Sequence, residues 1–299
     1  MMLPPLIGHT DAKTQLATLL AGARFPHALL MHGPQGIGKR TLAEHLAYRL
    51  ICGPTDGAGQ GADMFGNSTP ADPLAHDVGH PACAQLQAGS CPDFHVLAPE
   101  EGKKSIGIDA ARDLLATLQR SADTARVVVI DALEQLTDEA ANALLKMLEE
   151  PRPNIYFLLV CHQLSATLPT IRSRCRLLRL HPLSLEDTGK VLVEVGGDVN
   201  LAPLAKGCPG TVLGKEAQTL HELMAHLRPA LQGQSVPAPS TAQAPLVPQA
   251  LLALLAEHTP TPKQAEAYAA IATLMQQART LNLPHTLVAE QALGVVASC

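Results

Sequence analysis

Aromatic side chains are scarce in this 299-residue sequence, and tryptophan is absent. Because aromatics make up only 2% of the residues, we do not expect a surface that stacks nucleic-acid bases on aromatic rings. No stretch reaches the roughly 18 uninterrupted apolar residues of a membrane span. The first ten residues lack the charged-then-apolar order of a secretory signal. These absences argue against a membrane protein and against a secreted one.

Charge is sparse as well. Charged residues make up 16% of the chain, the net charge is −5, and no long run of lysine or arginine occurs. A free-standing DNA-binding protein needs a basic surface to neutralise phosphates. We therefore expect any contact with nucleic acid to be shared with partner proteins.

The seven cysteines are odd in number and scattered, a pattern typical of free thiols in a reducing cytoplasm. A cytoplasmic location is the expectation that follows. Cys52, His80 and Cys83 form the one candidate zinc set, since two residues separate His80 from Cys83, as in many zinc sites. No CxxC pair accompanies them. We expect buried thiols and loop histidines here rather than zinc.

Short apolar runs alternate with amphipathic stretches over the first 180 residues. This alternation predicts an α/β fold, a parallel sheet with helices on both faces. The expected strands are Ala28–His32, Phe94–Leu97, Arg126–Ile130, Ile155–Cys161 and Arg176–Leu180. Between the first two strands, Gly53–Gly79 is rich in Gly, Pro, Asp and Ala without a period, which indicates an exposed insertion.

The sequence predicts four parts. Residues 1–181 form the α/β core and residues 182–228 a small helical domain. Residues 229–248 are rich in Pro, Ala, Ser and Gln, which is typical of a linker. Residues 249–299 carry three further helical patterns and form a C-terminal all-helical domain.

A phosphate-binding loop is predicted directly after the first strand, in the segment GPQGIGKRT. Gly33, Gly36 and Gly38 allow backbone N–H groups to wrap phosphates at a helix start, and Lys39 reaches the β- and γ-phosphates. A serine or threonine that holds Mg²⁺ belongs next, but Arg40 stands there. Thr41 follows one position late, which on a helix is a rotation of about 100°.

Asp131, at the end of the strand Arg126–Ile130, matches the aspartate that binds the Mg²⁺ shell in P-loop ATPases. The glutamate that polarises the attacking water should follow it, but Ala132 stands there. Glu134 lies three positions past Asp131 and is no obvious substitute. We therefore expect no ATP hydrolysis at this site, while nucleotide binding without hydrolysis stays open.

The segment LPTIRSRC, which ends at Cys175, precedes the last predicted strand. One interpretation is a set of surface arginines. The other is that an arginine projects into the ATP site of a neighbouring subunit as an arginine finger.

These motifs together resemble the bacterial clamp-loader proteins of the AAA+ class, and among them the δ′ group of DNA polymerase III. The resemblance runs from about Ile7 to Leu213 and rests on RFPHALLMHGPQGIGK, QAGSCPDFHVLAPEEGKKSIGIDAARDL, VVVIDALEQLTDEAANALLKMLEEP, LPTIRSRCRLLRLHPL and GCPGTVL. It implies an AAA+ core, a helical lid over residues 182–228 and a helical collar over residues 249–299.

The resemblance also implies a role and partners. The chain would join γ/τ-type motor subunits and a δ-type subunit in a five-membered ring that loads a sliding clamp on primed DNA. Such a subunit of the polymerase holoenzyme is itself neither a polymerase nor an active ATPase, and Arg174 takes the finger role.

The sequence departs from the family pattern at two places. Thr211 stands where active motors have a sensing arginine. Cys52 and Cys83 match the first and last cysteines of a family zinc module whose middle pair is absent. Two alternative functions remain. The first is an ATP-hydrolysing γ/τ-type motor, and the second, ranked below it, is a free-standing DNA-binding AAA+ protein.

Overall fold

The computed structural model describes residues 3–22, 24–55, 72–100, 103, 105–118, 124–232, 234, 236–237, 239–256, 261–281 and 283–297. Most of the predicted insertion, residues 56–71, lies outside this set. The chain forms two compact units, Met1–Val195 and Gly196–Cys299. The finer predicted division into four parts stays a prediction.

A five-stranded parallel sheet organises the first unit. The strands are β1 (Ala28–His32), β2 (Phe94–Leu97), β3 (Arg126–Ile130), β4 (Ile155–Cys161) and β5 (Arg176–Arg179), in the order β2-β3-β4-β1-β5. All paired neighbours are parallel, with Leu29 opposite Leu158 on one side and Arg176 on the other. This arrangement confirms the predicted α/β fold.

Seven helices belong to the described part of this unit. They are α1 (Thr10–Ala21), α2 (Lys39–Cys52), α3 (Pro81–Ala88), α4 (Ile108–Leu118), α5 (Asp138–Glu149), α6 (Pro169–Arg172) and α7 (Leu185–Glu194). Thr137 caps α5 by accepting a hydrogen bond from the Ala140 N–H, 3.3 Å, and Ser184 caps α7 through the Asp187 N–H, 3.0 Å.

Both faces of the central strands β1, β3 and β4 are buried, which is why these strands are apolar at consecutive positions. Leu30, Val128 and Leu159 pack in one cluster with residues of α4 and α5, among them Leu114 and Leu144. Residues at alternate strand positions are also buried, and α2 contacts β1, β3 and β4. The loop that leaves β1 for α2 is therefore supported by the centre of the sheet.

The second unit is helical. It contains α8 (Ala202–Ala205), α9 (Lys215–Leu227), α10 (Val247–Ala256), α11 (Pro262–Leu281) and α12 (His285–Ala297). Its core joins Leu223 and Leu227 of α9 to Leu251, Ile271 and Ala292 of the last three helices. Ala244 and Val247, near the end of the predicted linker, are buried in this same core. Among the helices of the described residues, none is both long and apolar enough to cross a membrane.

Candidate functional site

The loop between β1 and α2 has the backbone of a phosphate-binding turn. Gly33, Gly36 and Gly38 have φ of 151°, 80° and 94°, values that side chains with a Cβ rarely adopt. A Cβ at Gly33 would also collide with the carbonyl oxygen of Leu180 and approach Ile37 Cδ1 at 2.9 Å. The glycine spacing noted in the sequence is therefore required by this turn.

Lys39 begins α2 and is only 3% exposed. Its Nζ donates to the carbonyl oxygens of Gly33 and Pro34, at 2.8 and 2.6 Å. The loop's own oxygens thus hold the ammonium group at the point where a phosphate would bind.

Arg40 makes two salt bridges that tie α2 to the end of β3. Its Nε lies 2.7 Å from Glu44 Oε1, and its Nη1 lies 3.1 Å from Asp131 Oδ2. The Arg40 and Asp131 side chains keep about a third of their surface exposed, whereas Glu44 keeps 12%. The carboxylate that would face Mg²⁺ in a P-loop ATPase is thus bound to a guanidinium of the same chain.

The carboxylate expected after Asp131 has no replacement nearby in the chain. Ala132 is buried and has φ of 64°. Glu134 Oε1 accepts a hydrogen bond of 2.8 Å from the backbone N–H of His162, just after β4. Glu134 is therefore engaged with the neighbouring strand end. Thr41, on α2, lies about 100° around the helix from Arg40.

These residues do not fit a Mg²⁺ ion. Mg²⁺ requires a nearly octahedral shell of oxygen ligands, and position 40 offers a cation where an oxygen is needed. Lys39 and the glycines do fit a nucleotide phosphate, since the loop geometry is retained. The loop thus has the backbone and the lysine that a phosphate site needs, whereas Arg40 and Ala132 stand where a metal site of this kind has a hydroxyl and a carboxylate.

A small cleft adjoins the loop, which the sequence interpretation did not anticipate. It has a volume of about 210 Å³ and is lined by His9, Arg179, His181, Ser184 and Asp187, among others. His9 Nε2 lies 2.7 Å from the carbonyl oxygen of Ile37 in the loop, and burial lowers the pKa of His9. The neutral imidazole therefore donates to Ile37. His9 lies nineteen residues before the first strand residue, Ala28, and belongs to no motif, so its contact with the loop could not be predicted from the sequence.

Arg174 lies at the other end of the strands from the phosphate-binding loop. It precedes β5, whose Arg176 pairs with Leu29 near the start of β1, whereas the phosphate-binding loop follows the end of β1. Its Nη2 lies 2.7 Å from Glu149 Oε1, and its Nη1 donates to the Thr170 carbonyl oxygen and to Ser173 Oγ, at 2.9 and 3.2 Å. Arg174 is thus oriented by its own segment and by the end of α5.

The three residues of the candidate zinc set divide between two roles. Cys52 and Cys83 are both buried, and burial, with the nearby Cys83 adding to it, raises the pKa of the Cys52 thiol to about 12. His80 caps α3, where its Nδ1 accepts from the Ala82 N–H at 3.2 Å. Across the residues that the structure describes, no group of three or more His, Cys, Asp or Glu is arranged to hold a metal ion.

Thr211 lies in the second unit, in a 3₁₀ turn at Pro209–Val212. Its Oγ1 donates to the carbonyl oxygen of Cys208 at 2.7 Å. The hydroxyl is therefore used to close its own turn, and a threonine cannot supply the charge of the sensing arginine expected at this position.

The comparisons with known proteins agree with the motifs. A family described as "DNA polymerase III, delta subunit" matches residues 8–184. A Pseudomonas aeruginosa protein named DNA polymerase III subunit delta′ is 42% identical over 155 residues, which are 51% of this chain and 42% of that protein. The Escherichia coli subunit of the same name is 38% identical over 176 residues, 58% of this chain and 47% of that protein.

The matches thus span about half the length of the curated relatives. A solved Thermotoga maritima structure, described as a DNA polymerase III gamma subunit-related protein, has a TM-score of 0.53 and 17% identity. It covers 96% of this chain and 99% of the other, and supports the fold alone. Because the family match covers more than half of the chain, this protein belongs to the DNA polymerase III delta-subunit family of clamp-loader proteins, with the delta′ subunits among its relatives.

Proposed function

We propose that this chain is a δ′-type clamp-loader subunit that does not hydrolyse ATP itself and that lends Arg174 to the ATP site of a neighbouring subunit. Its partners in this proposal are γ/τ-type motors and a δ-type subunit in a cytoplasmic ring that loads a sliding clamp on primed DNA. The observation that carries the proposal of an inactive ATP site is the salt bridge between Arg40 and Asp131, 3.1 Å. It pairs the carboxylate that would bind the metal with a guanidinium of the same chain.

Loss of hydrolysis in this chain follows from two independent features. Phosphoryl transfer to water depends on a metal that neutralises developing charge and on a group that orients the water. The metal lacks a ligand because Asp131 is bound to Arg40. The group that orients the water is missing because Ala132 has no carboxylate and Glu134 accepts a hydrogen bond from the His162 N–H. We expect the isolated chain to release phosphate from ATP at the background rate.

The position of Arg174 supports action on a neighbour. The rise from Leu29 to His32 along β1 is roughly 10 Å at about 3.3 Å per residue, and Arg174 and the P-loop lie beyond opposite ends of this span. Arg174 therefore cannot reach a γ-phosphate in its own loop without refolding the segment. A guanidinium on an exposed segment is suited to stabilising charge on a phosphoryl group held by another chain.

The test uses the assembled loader, with Arg174→Ala and the control Arg172→Ala introduced into this subunit. Arg172 is an exposed arginine at the end of α6. An arginine finger is worth roughly 10³–10⁵ in rate at the site that it serves, and a ring holds several sites. Total DNA- and clamp-stimulated ATPase should therefore fall in part with Arg174→Ala and stay unchanged with Arg172→Ala. Wild-type ATPase and clamp loading in the Arg174→Ala loader would refute the trans role.

One observation favours the second candidate, an ATP-hydrolysing γ/τ-type motor: Lys39 and the three loop glycines are all in place. The two functions separate on the isolated chain. Steady-state phosphate release that disappears with Lys39→Ala would establish the motor and overturn the inactive site.

A further inference from the structure

Arg40 has two acidic partners on different elements. Glu44 lies one turn further along α2, at 2.7 Å, and Asp131 ends β3, at 3.1 Å. Glu44 is nearly buried, so its charge would be costly without a partner. The cluster contains one cation and two carboxylates, and its geometry ties the start of α2 to the middle of the sheet.

A divalent ion at this place would meet two obstacles. Asp131 Oδ2 already accepts a hydrogen bond from Arg40 Nη1, and the ion would sit against the positively charged guanidinium. By contrast, a phosphate without metal meets an Asp131 carboxylate that is already paired with the Arg40 guanidinium. This pairing lowers the repulsion that an unpaired Asp131 would exert on a phosphate, while the three side chains together keep one negative charge because Arg40 also pairs with Glu44.

We propose that Arg40 is a built-in counterion of Asp131 that takes the place of the divalent metal, so that nucleoside phosphates meet this loop without Mg²⁺. The inference rests on the proposed function, since it concerns the same inactive site. It adds that a single side chain is responsible: replacing Arg40 by threonine frees Asp131, supplies a hydroxyl directly after Lys39 and creates a metal-dependent nucleotide site.

The experiment measures binding of a fluorescent ADP analogue to the full chain, once with Mg²⁺ and once with EDTA. For the wild type we expect the ADP analogue to bind with the same dissociation constant in both buffers. For Arg40→Thr we expect Mg²⁺ to tighten binding by about tenfold or more, a typical size for thermodynamic coupling between two ligands. Adding Asp131→Asn to Arg40→Thr should abolish the response to Mg²⁺, because the freed carboxylate is the proposed ligand.

Arg40→Lys is the matched control. It keeps a cation at the position and supplies no hydroxyl, so its titrations should not respond to Mg²⁺. Circular-dichroism melting of each variant checks that the chain is folded. The comparison of wild-type binding with Mg²⁺ and with EDTA needs no variant, so it tests the inference even if Arg40→Thr does not fold.

Two results would overturn the inference. One is a wild-type affinity that rises about tenfold with Mg²⁺, which would mean that the ion is accepted despite Arg40. The other is a folded Arg40→Thr chain that does not respond to Mg²⁺, which would mean that Arg40 is not what excludes the ion. Either leaves the trans role of Arg174 untouched, because that role is measured in the assembled loader.

Discussion

At the scale of single residues, Thr137 stabilises the start of α5 through the hydrogen bond from the Ala140 N–H to its Oγ1. We expect Thr137→Ala to lower the free energy of unfolding by about 1 kcal/mol, the usual effect of losing an N-cap. Urea denaturation followed by circular dichroism measures the change. Thr117→Ala is the control, since the exposed Thr117 hydroxyl bonds to Asp113 within α4. Equal losses in the two variants would contradict the capping role.

His9 makes stability depend on pH. Burial lowers the pKa of His9 below its ordinary value of 6.5; Lys13 lowers it further, while the hydrogen bond to Ile37 and the charge of Asp187 oppose the shift. Between the ordinary and the lowered pKa the unfolded chain binds more protons, so stability is lost as the pH falls through this range.

We expect His9→Asn to lose less stability than the wild type when the pH is lowered from about 7 to about 5, because asparagine does not titrate. Asparagine also tolerates the left-handed backbone at this position, φ 57°. Urea denaturation of both proteins at the two pH values provides the measurement. Identical pH dependence in both would show that His9 makes no contribution.

At the scale of elements, the end of α5 positions the segment between α6 and β5. Glu149 Oε1 lies 2.7 Å from Arg174 Nη2. We expect Glu149→Gln to lower the stimulated ATPase of the assembled loader by roughly a few-fold at the affected site, because an ion pair open to solvent contributes about 1 kcal/mol at most. The fall should be smaller than that of Arg174→Ala.

Glu150→Gln is the control for this positioning role, since Glu150 is the exposed neighbour that ends the helix. Combining Glu149→Gln with Arg174→Ala should add nothing to Arg174→Ala alone. A further fall in the double variant would place Glu149 in a separate role.

The central strands β1, β3 and β4 could be predicted from the sequence because both of their faces are buried, which leaves apolar runs. The edge strands β2 and β5 have shorter apolar segments, with His95 inside one and arginines at both ends of the other. The helix from Thr137 to Pro151 was equally predictable, since its cap, its periodic apolar face and its terminating proline all agree. Three helices were missed: α1 buries only Ala12 and Leu16, α3 only Cys83 and Leu86, and α6 only Ile171. Such short apolar faces give no clear period.

Some features of the candidate site could also be predicted from the sequence, whereas others depend on the fold. The glycines, Lys39 and Asp131 are recognisable because phosphate chemistry fixes their spacing. The pairing of Arg40 with Glu44 is suggested by their separation of four residues on a helix. The bond to Asp131 crosses 91 positions and depends on the strand order β3-β4-β1, which local sequence patterns do not encode.

At the scale of the whole molecule, the boundary between the two units suggests where the chain can be cut. Leu223 and Leu227 of α9 share a core with the helices that follow residue 248. A chain ended after Val195 should therefore keep a folded sheet and unfold in one cooperative transition. A chain ended after Pro248 exposes that apolar face of α9, and we expect it to be less soluble.

Neither truncated chain should enter the ring, because the collar helices are proposed to carry assembly. Gel filtration with the partner subunits measures this. Co-elution of the chain ended after Val195 would assign assembly to the α/β unit instead.

The phosphate-binding loop and Arg174 lie beyond opposite ends of the strands, so the subunit has a nucleotide end and an arginine end. In the proposed ring, each junction joins the arginine end of one subunit to the nucleotide end of the next. Under this proposal, a subunit that does not hydrolyse ATP but supplies Arg174 completes a catalytic junction on one side only. Such a subunit needs no arginine from the subunit on its other side, so the proposed ring can place a neighbour without an arginine finger there.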